Sequence, residues 1–487
     1  MTRRHEHFRI TKLKRTYNRE TDTFTFNISY ETAVTTQTPR TRTVAEAFGL
    51  GTDQAQQFTL YDNIVLRIRP TDIVLITGDS GSGKSALLKA IKADLGTAAK
   101  DVKDLSISPN TPIIETLGEN TAEALELLSK AGLNDAFLFL RSYSELSDGQ
   151  KHRYHIARLA EAKTQWWLLD EFASTLDRDT AKIVAFNLQK LARERGKAVI
   201  AATTHNDLLA DLAPNVHVHK RYGKQVTIRY YRSGAAPQEC SLTREMHITQ
   251  GTIADYKALS HFHYRTSSCP APRKIFALKR KSETCGVIVY AFAPPTCFGR
   301  SKVWKGTLQQ LQKELSVISR VVVHPKYRSV GLGVRLVRDS LLLAGTGCVE
   351  VVAVMARYNP FFERAGMRRI AESKPSAAVT SALERLGGLG FDCALLAGVA
   401  YGERGVGEVG REAVLLVLEE LSRRDAGVRR RLAGLRNVYP KHEEFMAKIT
   451  MFDAVGLAKV LKRLSFLAQT KVYLFWNREW QNGNGEN

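Results

Sequence analysis

The chain has 487 residues, of which 44% are hydrophobic and 25% charged, with a formal net charge of +22. That balance fits a folded protein of two or three domains and excludes a disordered or low-complexity chain. Six scattered cysteines without a CxxC pair exclude a disulfide scaffold. The basic N-terminus lacks the apolar stretch of a signal peptide, and no run approaches the ~18 apolar residues of a membrane span, so a cytoplasmic protein with reduced thiols is expected.

Residues 1–45 alternate in strand fashion (TFTFNISYETAV), which predicts a small N-terminal β region. From 46 to 232, short β-branched runs alternate with helical stretches, the pattern of a parallel α/β domain. Within it, IVLITGDSGSGKSALLKAI reads as strand, glycine-rich turn and helix. Gly78, Ser80, Gly81, Gly83, Lys84 and Ser85 fit the phosphate-binding pattern GxxxxGK[ST]. Small residues let backbone N–H groups wrap a phosphate at a helix N-terminus, Lys84 reaches the β- and γ-phosphates, and Ser85 is a ligand for Mg²⁺. Downstream, the apolar run WWLL ends in Asp170 and Glu171. Asp170 is placed for the Mg²⁺ shell and Glu171 to polarise an attacking water.

Leu146-Ser147-Asp148-Gly149-Gln150 lies just ahead of that acidic pair. It resembles the LSGGQ signature of ATP-binding-cassette (ABC) ATPases, with Asp148 in place of the middle glycine. Ser174-Thr175-Leu176-Asp177 resembles that family's D-loop, and His205 its switch histidine. The resemblance covers roughly residues 46–225. It implies ATP and Mg²⁺ as cofactors, Glu171 and His205 in catalysis, and nucleotide contacts from Ser147, Gly149, Gln150 and Asp177. It also implies a homodimer, because the signature of one cassette completes the site of the other. Two departures stand out. No Q-loop glutamine is placed between Lys84 and Leu146, where IIETLG (113–118) is the best positional candidate. Phe48 is the expected adenine-stacking ring, with core packing as its alternative.

RSGAAPQECS (232–241) reads as a linker, and residues 242–370 as a second α/β domain. Here SVISRVVVHPKYRSVGLGVRLVRDSLLLA reads as strand, loop and helix, with Val351–Met355 as the next strand. Arg328, Gly331 and Gly333 fit [RQ]xxGx[GA], and the segment resembles the pyrophosphate loop of GNAT acyltransferases, which implies acyl-CoA as a further cofactor. RYNPFFERAGM resembles a later GNAT segment in which many members carry a tyrosine acid; the matching residue is Phe362, with Tyr358 nearby. His261 and His263 read as alternating on an extended segment, either a metal or base pair or a hydrogen-bonded structural pair. Residues 251–370 carry 20 basic and six acidic side chains, against 34 and 29 in 1–250. So local an excess points to nucleic acid or a phosphate-rich cofactor, with a merely soluble basic face as the alternative. The hairpin IFALKRKSETCGVIVYAFAPP carries basic residues at its turn, suited to phosphate, and the region resembles the Mom-like branch of GNAT-fold enzymes that modify adenine in DNA.

After Pro375 the chain becomes rich in Ala, Leu, Arg and Glu with helical periodicity, so 371–487 is expected to be a helical C-terminal module. The fold class expected is therefore α/β: a P-loop ABC ATPase domain, a GNAT-like domain, then helices. The function expected is an ATP-hydrolysing cassette coupled to an acyltransferase-like domain acting on nucleic acid. The alternative is a mechanochemical ABC ATPase of DNA repair or translation whose second domain only grips nucleic acid. The ATPase half of a split transporter is a third, less favoured, reading.

Overall fold

A computed structural model describes residues 8–32, 37–51, 56–231, 239–263, 269, 271–434 and 438–482. The chain divides into two compact units: unit 1 holds 1–268, 275–288 and 321–336, and unit 2 holds 269–274, 289–320 and 337–487.

Unit 1 begins with an antiparallel sheet of β1 (Phe8–Asn18), β2 (Thr23–Thr32) and β3 (Gln56–Arg67). The next sheet is built from β4 (Ile73–Gly78), β5 (Ala99–Asp101), β6 (Trp166–Leu169), β7 (Ala198–Thr203), β8 (Val216–Lys220) and β9 (Val226–Tyr230), in the order β5-β6-β7-β4-β8-β9. β4 through β8 are parallel, and β9 returns antiparallel on β8. All six residues of β4 and of β7 are buried, as parallel strands covered on both faces must be. Phe24, Phe26 and Ile28 of β2 enter one core with Val74, Ile76, Leu87 and Ile91. The expected break at residue 45 therefore falls inside a single core: β3 follows a short helix that hides its pairing with β2 from local pattern. Three helices matter below: α1 (Lys84–Leu95), α2 (Asp148–Glu161) and α3 (Arg178–Glu194).

A third sheet contains β10 (Met246–Gln250), β11 (Pro272–Arg280), β12 (Glu283–Phe292), β13 (Leu315–Val323), β14 (Cys348–Ala353), β15 (Arg368–Ser373) and β16 (Lys471–Asn477). Its order is β10-β11-β12-β13-β14-β16-β15. β13 and β14 run parallel but pair only at Leu315–Val317 with Cys348–Glu350. In unit 2, helices between Ala377 and Leu467 bury their own core, including Leu386, Val406, Leu418, Phe445 and Leu461. The C-terminal region is helical as expected, and a strand follows its helices. β16 lies after those helices and sits between β14 and β15, so they are an insertion within a sheet. A seven-residue strand behind a long helical stretch has no local mark of which strands it joins. Of the expected linker, 232–238 lie outside the described residues, while Ser241 donates its N–H and Oγ to Asp211 at 2.7 Å each.

Candidate functional site

The loop from Gly78 to Ser85 joins the buried end of β4 to α1. Gly78 has φ +144°, and a Cβ there would lie 1.9 Å from the Lys220 carbonyl oxygen, so no other residue fits without moving β8. Lys84 Nζ donates to the carbonyls of Gly78 and Asp79 at 2.7 and 2.6 Å, which folds the cation over the loop. Burial works to lower its pKa from the ordinary lysine value. Ser82 Oγ is buried in the loop without a hydrogen-bond partner among the described residues. Ser85 Oγ donates to Asp170 Oδ1 at 2.9 Å. Two hard oxygen donors at the foot of a phosphate loop suit Mg²⁺.

Glu171 follows with φ +51°, its side chain exposed, and Ala173 has φ +60°. These are left-handed positions for non-glycine residues, and the surroundings hold them. Arg178 donates to His205 Nδ1. An arginine can only donate, so Nε2 of that imidazole carries the proton and donates to the Ala173 carbonyl at 3.1 Å. On the other side of the same residue, the Ala173 N–H donates to His152 Nε2 at 3.2 Å. Burial lowers the His152 pKa from 6.5 to about 4, so this ring stays neutral and remains an acceptor. His152 was not legible in the sequence, although it lies on the signature helix.

Ser147 begins α2, and its N–H donates to Gln150 Oε1 at 2.9 Å, a reciprocal N-terminal cap. Gly149 packs under the D-loop: a Cβ there would approach Leu176 Cδ2 to 3.0 Å. Asp148 is the first helical residue and keeps negative φ, so replacing the family's glycine there strains nothing. Asp177 was expected to contact nucleotide. In this structure its carboxylate caps α3 through the Thr180 N–H and Oγ1 at 3.2 and 2.6 Å, and it pairs with Lys326 at 3.2 Å. Phe48 ends a short helix with its ring 76% exposed, which removes the core-packing alternative. Tyr222, which sequence reading passed over, donates its hydroxyl to the Ser80 carbonyl at 2.6 Å and so lies beside the phosphate loop.

The second glycine loop behaves differently. Gly331 has φ +83° and Gly333 lies in the first turn of α4 (Leu332–Leu341). Arg328, expected to face a pyrophosphate, instead donates to the backbone carbonyls of Val323, Asn134 and Phe262 at 3.0, 2.6 and 3.4 Å. Phe362 is buried and Tyr358 is 51% exposed. His261 and His263 do not alternate on a strand. Thr252 caps a helix over Ile253–Ser260, and His261 ends it. Among the described residues no group of three or more His, Cys, Asp or Glu side chains is placed to hold a metal. Of the hairpin cations Lys279, Arg280 and Lys281 expected to meet phosphate, Lys279 pairs with Asp255 at 2.9 Å, and Arg280 with Asp179 at 2.9 Å and Glu245 at 2.7 Å. No helix among the described residues is long and apolar enough to cross a membrane.

No family model matches the chain. Among curated proteins, it is 33% identical over 183 residues to the lipoprotein-releasing system ATP-binding protein LolD of Novosphingobium aromaticivorans, covering 30% of this chain and 80% of that one. It is 28% identical over 212 residues to LolD of Ehrlichia ruminantium (36% and 90%) and 25% identical over 186 residues to the cytochrome c biogenesis ATP-binding export protein CcmA of Vibrio parahaemolyticus (31% and 87%). Among solved structures, it matches a dimeric ATP-binding cassette bound to ADP and Pi at 22% identity and a TM-score of 0.30, covering 37% of this chain and 94% of that one.

Proposed function

The chain belongs, through the third of its length that these relatives cover, to the ATP-binding-cassette family, and from that premise we propose that two copies hydrolyse ATP at two shared sites. The observation that carries the reading is the Ser85–Asp170 hydrogen bond at the foot of the phosphate loop, one residue before the exposed Glu171 carboxylate. In this reading the loop N–H groups and Lys84 hold the β- and γ-phosphates. Ser85 and Asp170 would hold Mg²⁺, which would neutralise charge on the phosphate oxygens when bound. Glu171 accepts a proton from the attacking water, and His205, oriented by Arg178 and Ala173, faces the transferred phosphate. Ser147 stands at the N-terminal end of α2, and the positive end of that helix dipole favours the phosphates of a nucleotide on a second copy.

The test is complementation. Ser147→Arg and Lys84→Ala proteins are each expected to be nearly inactive, and mixing them is expected to recover activity, because half of the sites in a mixed dimer carry neither lesion. Inactive mixtures that still form mixed dimers would count against shared sites.

For residues 242–370 we infer a GNAT-like acyltransferase domain acting on nucleic acid. What supports the fold is the sequence of parallel strands β13 and β14 joined through the glycine loop and α4. The acyl-CoA reading rests on the loop backbone, since Arg328 is engaged by protein carbonyls. The nucleic-acid reading rests on the positive balance of 251–370, reduced by the pairing of Lys279, Arg280 and Lys326. A thermal-shift titration with acyl-CoA tests the first. The slope of nucleic-acid affinity between 50 and 200 mM salt tests the second: about five phosphate contacts would lower affinity by a factor of hundreds, and a flat slope removes nucleic acid as partner.

A further inference from the structure

Lys326 lies in the short turn after β13, far in sequence from the ATPase motifs. Its ammonium meets Asp177 Oδ1 at 3.2 Å and Asp179 Oδ2 at 2.9 Å, at the start of α3. Asp179 is held from its other side by Arg280, itself only 16% exposed and also paired with Glu245. Two residues further, Arg328 Nη1 donates to the Asn134 carbonyl at 2.6 Å, and Ser329 Oγ accepts from Asn187 Nδ2 of α3 at 2.7 Å. Two residues before Asn134, the Gly132 carbonyl accepts from Arg153 of the signature helix at 2.9 Å, and Arg153 Nε reaches the Gly149 carbonyl at 3.1 Å. The segment 326–329 thus grips two elements: the D-loop that leads from Glu171 to Asp177, and the turn that braces the signature helix. The two meet where Gly149 packs on Leu176.

We propose that Lys326 is a positioning residue for ATP hydrolysis, holding the D-loop through Asp177 and Asp179 so that the stretch from Glu171 onward stays registered with the signature helix. The proposal rests on the ATPase reading above. An ion pair at a partly exposed site contributes little to global stability, so its removal should move position more than folding. Both aspartates titrate below the ordinary carboxylate range. Burial alone would raise them, and it is outweighed by hydrogen bonds from Thr180 and Lys326 at Asp177, and by Lys326 and Arg280 at Asp179.

The experiment compares wild type, Lys326→Ala and Lys326→Arg in steady-state hydrolysis, thermal melting and amide hydrogen exchange of the full chain. Lys326→Ala is expected to lower kcat about tenfold with KM for ATP moved less than about twofold, and to leave Tm within about 2 °C. Exchange should rise across residues 174–180 and not in the phosphate loop, and Lys326→Arg should restore most of both. Unchanged exchange at 174–180 overturns the proposal whatever the ATPase rate. So does raised exchange with wild-type kcat, or a loss of kcat that tracks a loss of Tm and is not rescued by arginine. A wild-type protein that hydrolyses no ATP would sink the ATPase reading instead, and the exchange data would still decide whether Lys326 fixes the D-loop.

Discussion

The two glycine loops of this chain read almost alike in sequence, and they are built on different terms. Each follows an apolar strand, precedes a helix and offers backbone N–H groups to a phosphate. In the first, Lys84 bends back on the carbonyls of its own loop, and Gly78 is walled in by Lys220. In the second, Arg328 reaches away from the loop to the carbonyls of the preceding strand and of two distant segments, and a Cβ on Gly331 would meet nothing within 4 Å. A motif records which residues can approach a phosphate. Whether the charged one is held at the loop or committed elsewhere depends on neighbours that the motif does not contain.

The sharpest way to break the comparison is at the first loop's catalytic partner. Glu171→Gln is expected to lower ATP turnover by about 10²-fold or more while ATP binding persists and a closed dimer accumulates on sizing columns. Hydrolysis at the wild-type rate would remove Glu171 from its role. Gly78→Ala comes next: with the Lys220 oxygen 1.9 Å away, a loss of about 3 kcal/mol or more is expected, read as a fall in urea midpoint. A normal midpoint would mean that β8 yields easily.

The His152 clamp on Ala173 gives a smaller effect with a definite sign. Its folded pKa is about 4, below the 6.5 of the free ring. The unfolded chain therefore binds the proton first, so stability is full above pH 6.5 and falls as pH drops towards 4, by up to about 3 kcal/mol. His152→Gln should flatten that part of the pH dependence, and equal slopes in the two proteins would refute it. The smallest effect belongs to the second loop. Gly331→Ala meets open space, and only its left-handed φ of +83° resists, so about 1 kcal/mol is expected. A loss as large as that at Gly78 would erase the distinction between the loops.

The ATPase motifs were legible because their chemistry is packed into consecutive residues: GDSGSGKS, LSDGQ and LLDE each bring several functional groups in one run. His152, Tyr222 and Lys326 were not. Each acts on a backbone or carboxylate distant in sequence, and its own surroundings look ordinary. The histidine pair shows a signal that was present and passed over. Thr252 and Asp255 form a capping box, with Thr252 N–H donating to Asp255 at 2.8 Å, which announces a helix that runs up to His261, so the pair begins at a helix end. The charge count of the region was less legible: the acids that pair with Lys279 and Arg280, namely Asp255, Asp179 and Glu245, lie on other elements, so a regional sum overstates the free charge.

The late arrival of β16 shapes how the protein can be made. Its partner β14 ends at Ala353, but β16 itself begins only at Lys471, after the inserted helices. On a ribosome, β14 and β15 emerge and must wait for the whole helical insertion before the strand that joins them exists. During that interval both expose backbone edges able to pair with another chain. The inserted helices bury a core of their own and can form first. Closing so distant a pairing is slow, which lengthens the time for which those edges stay open to another chain.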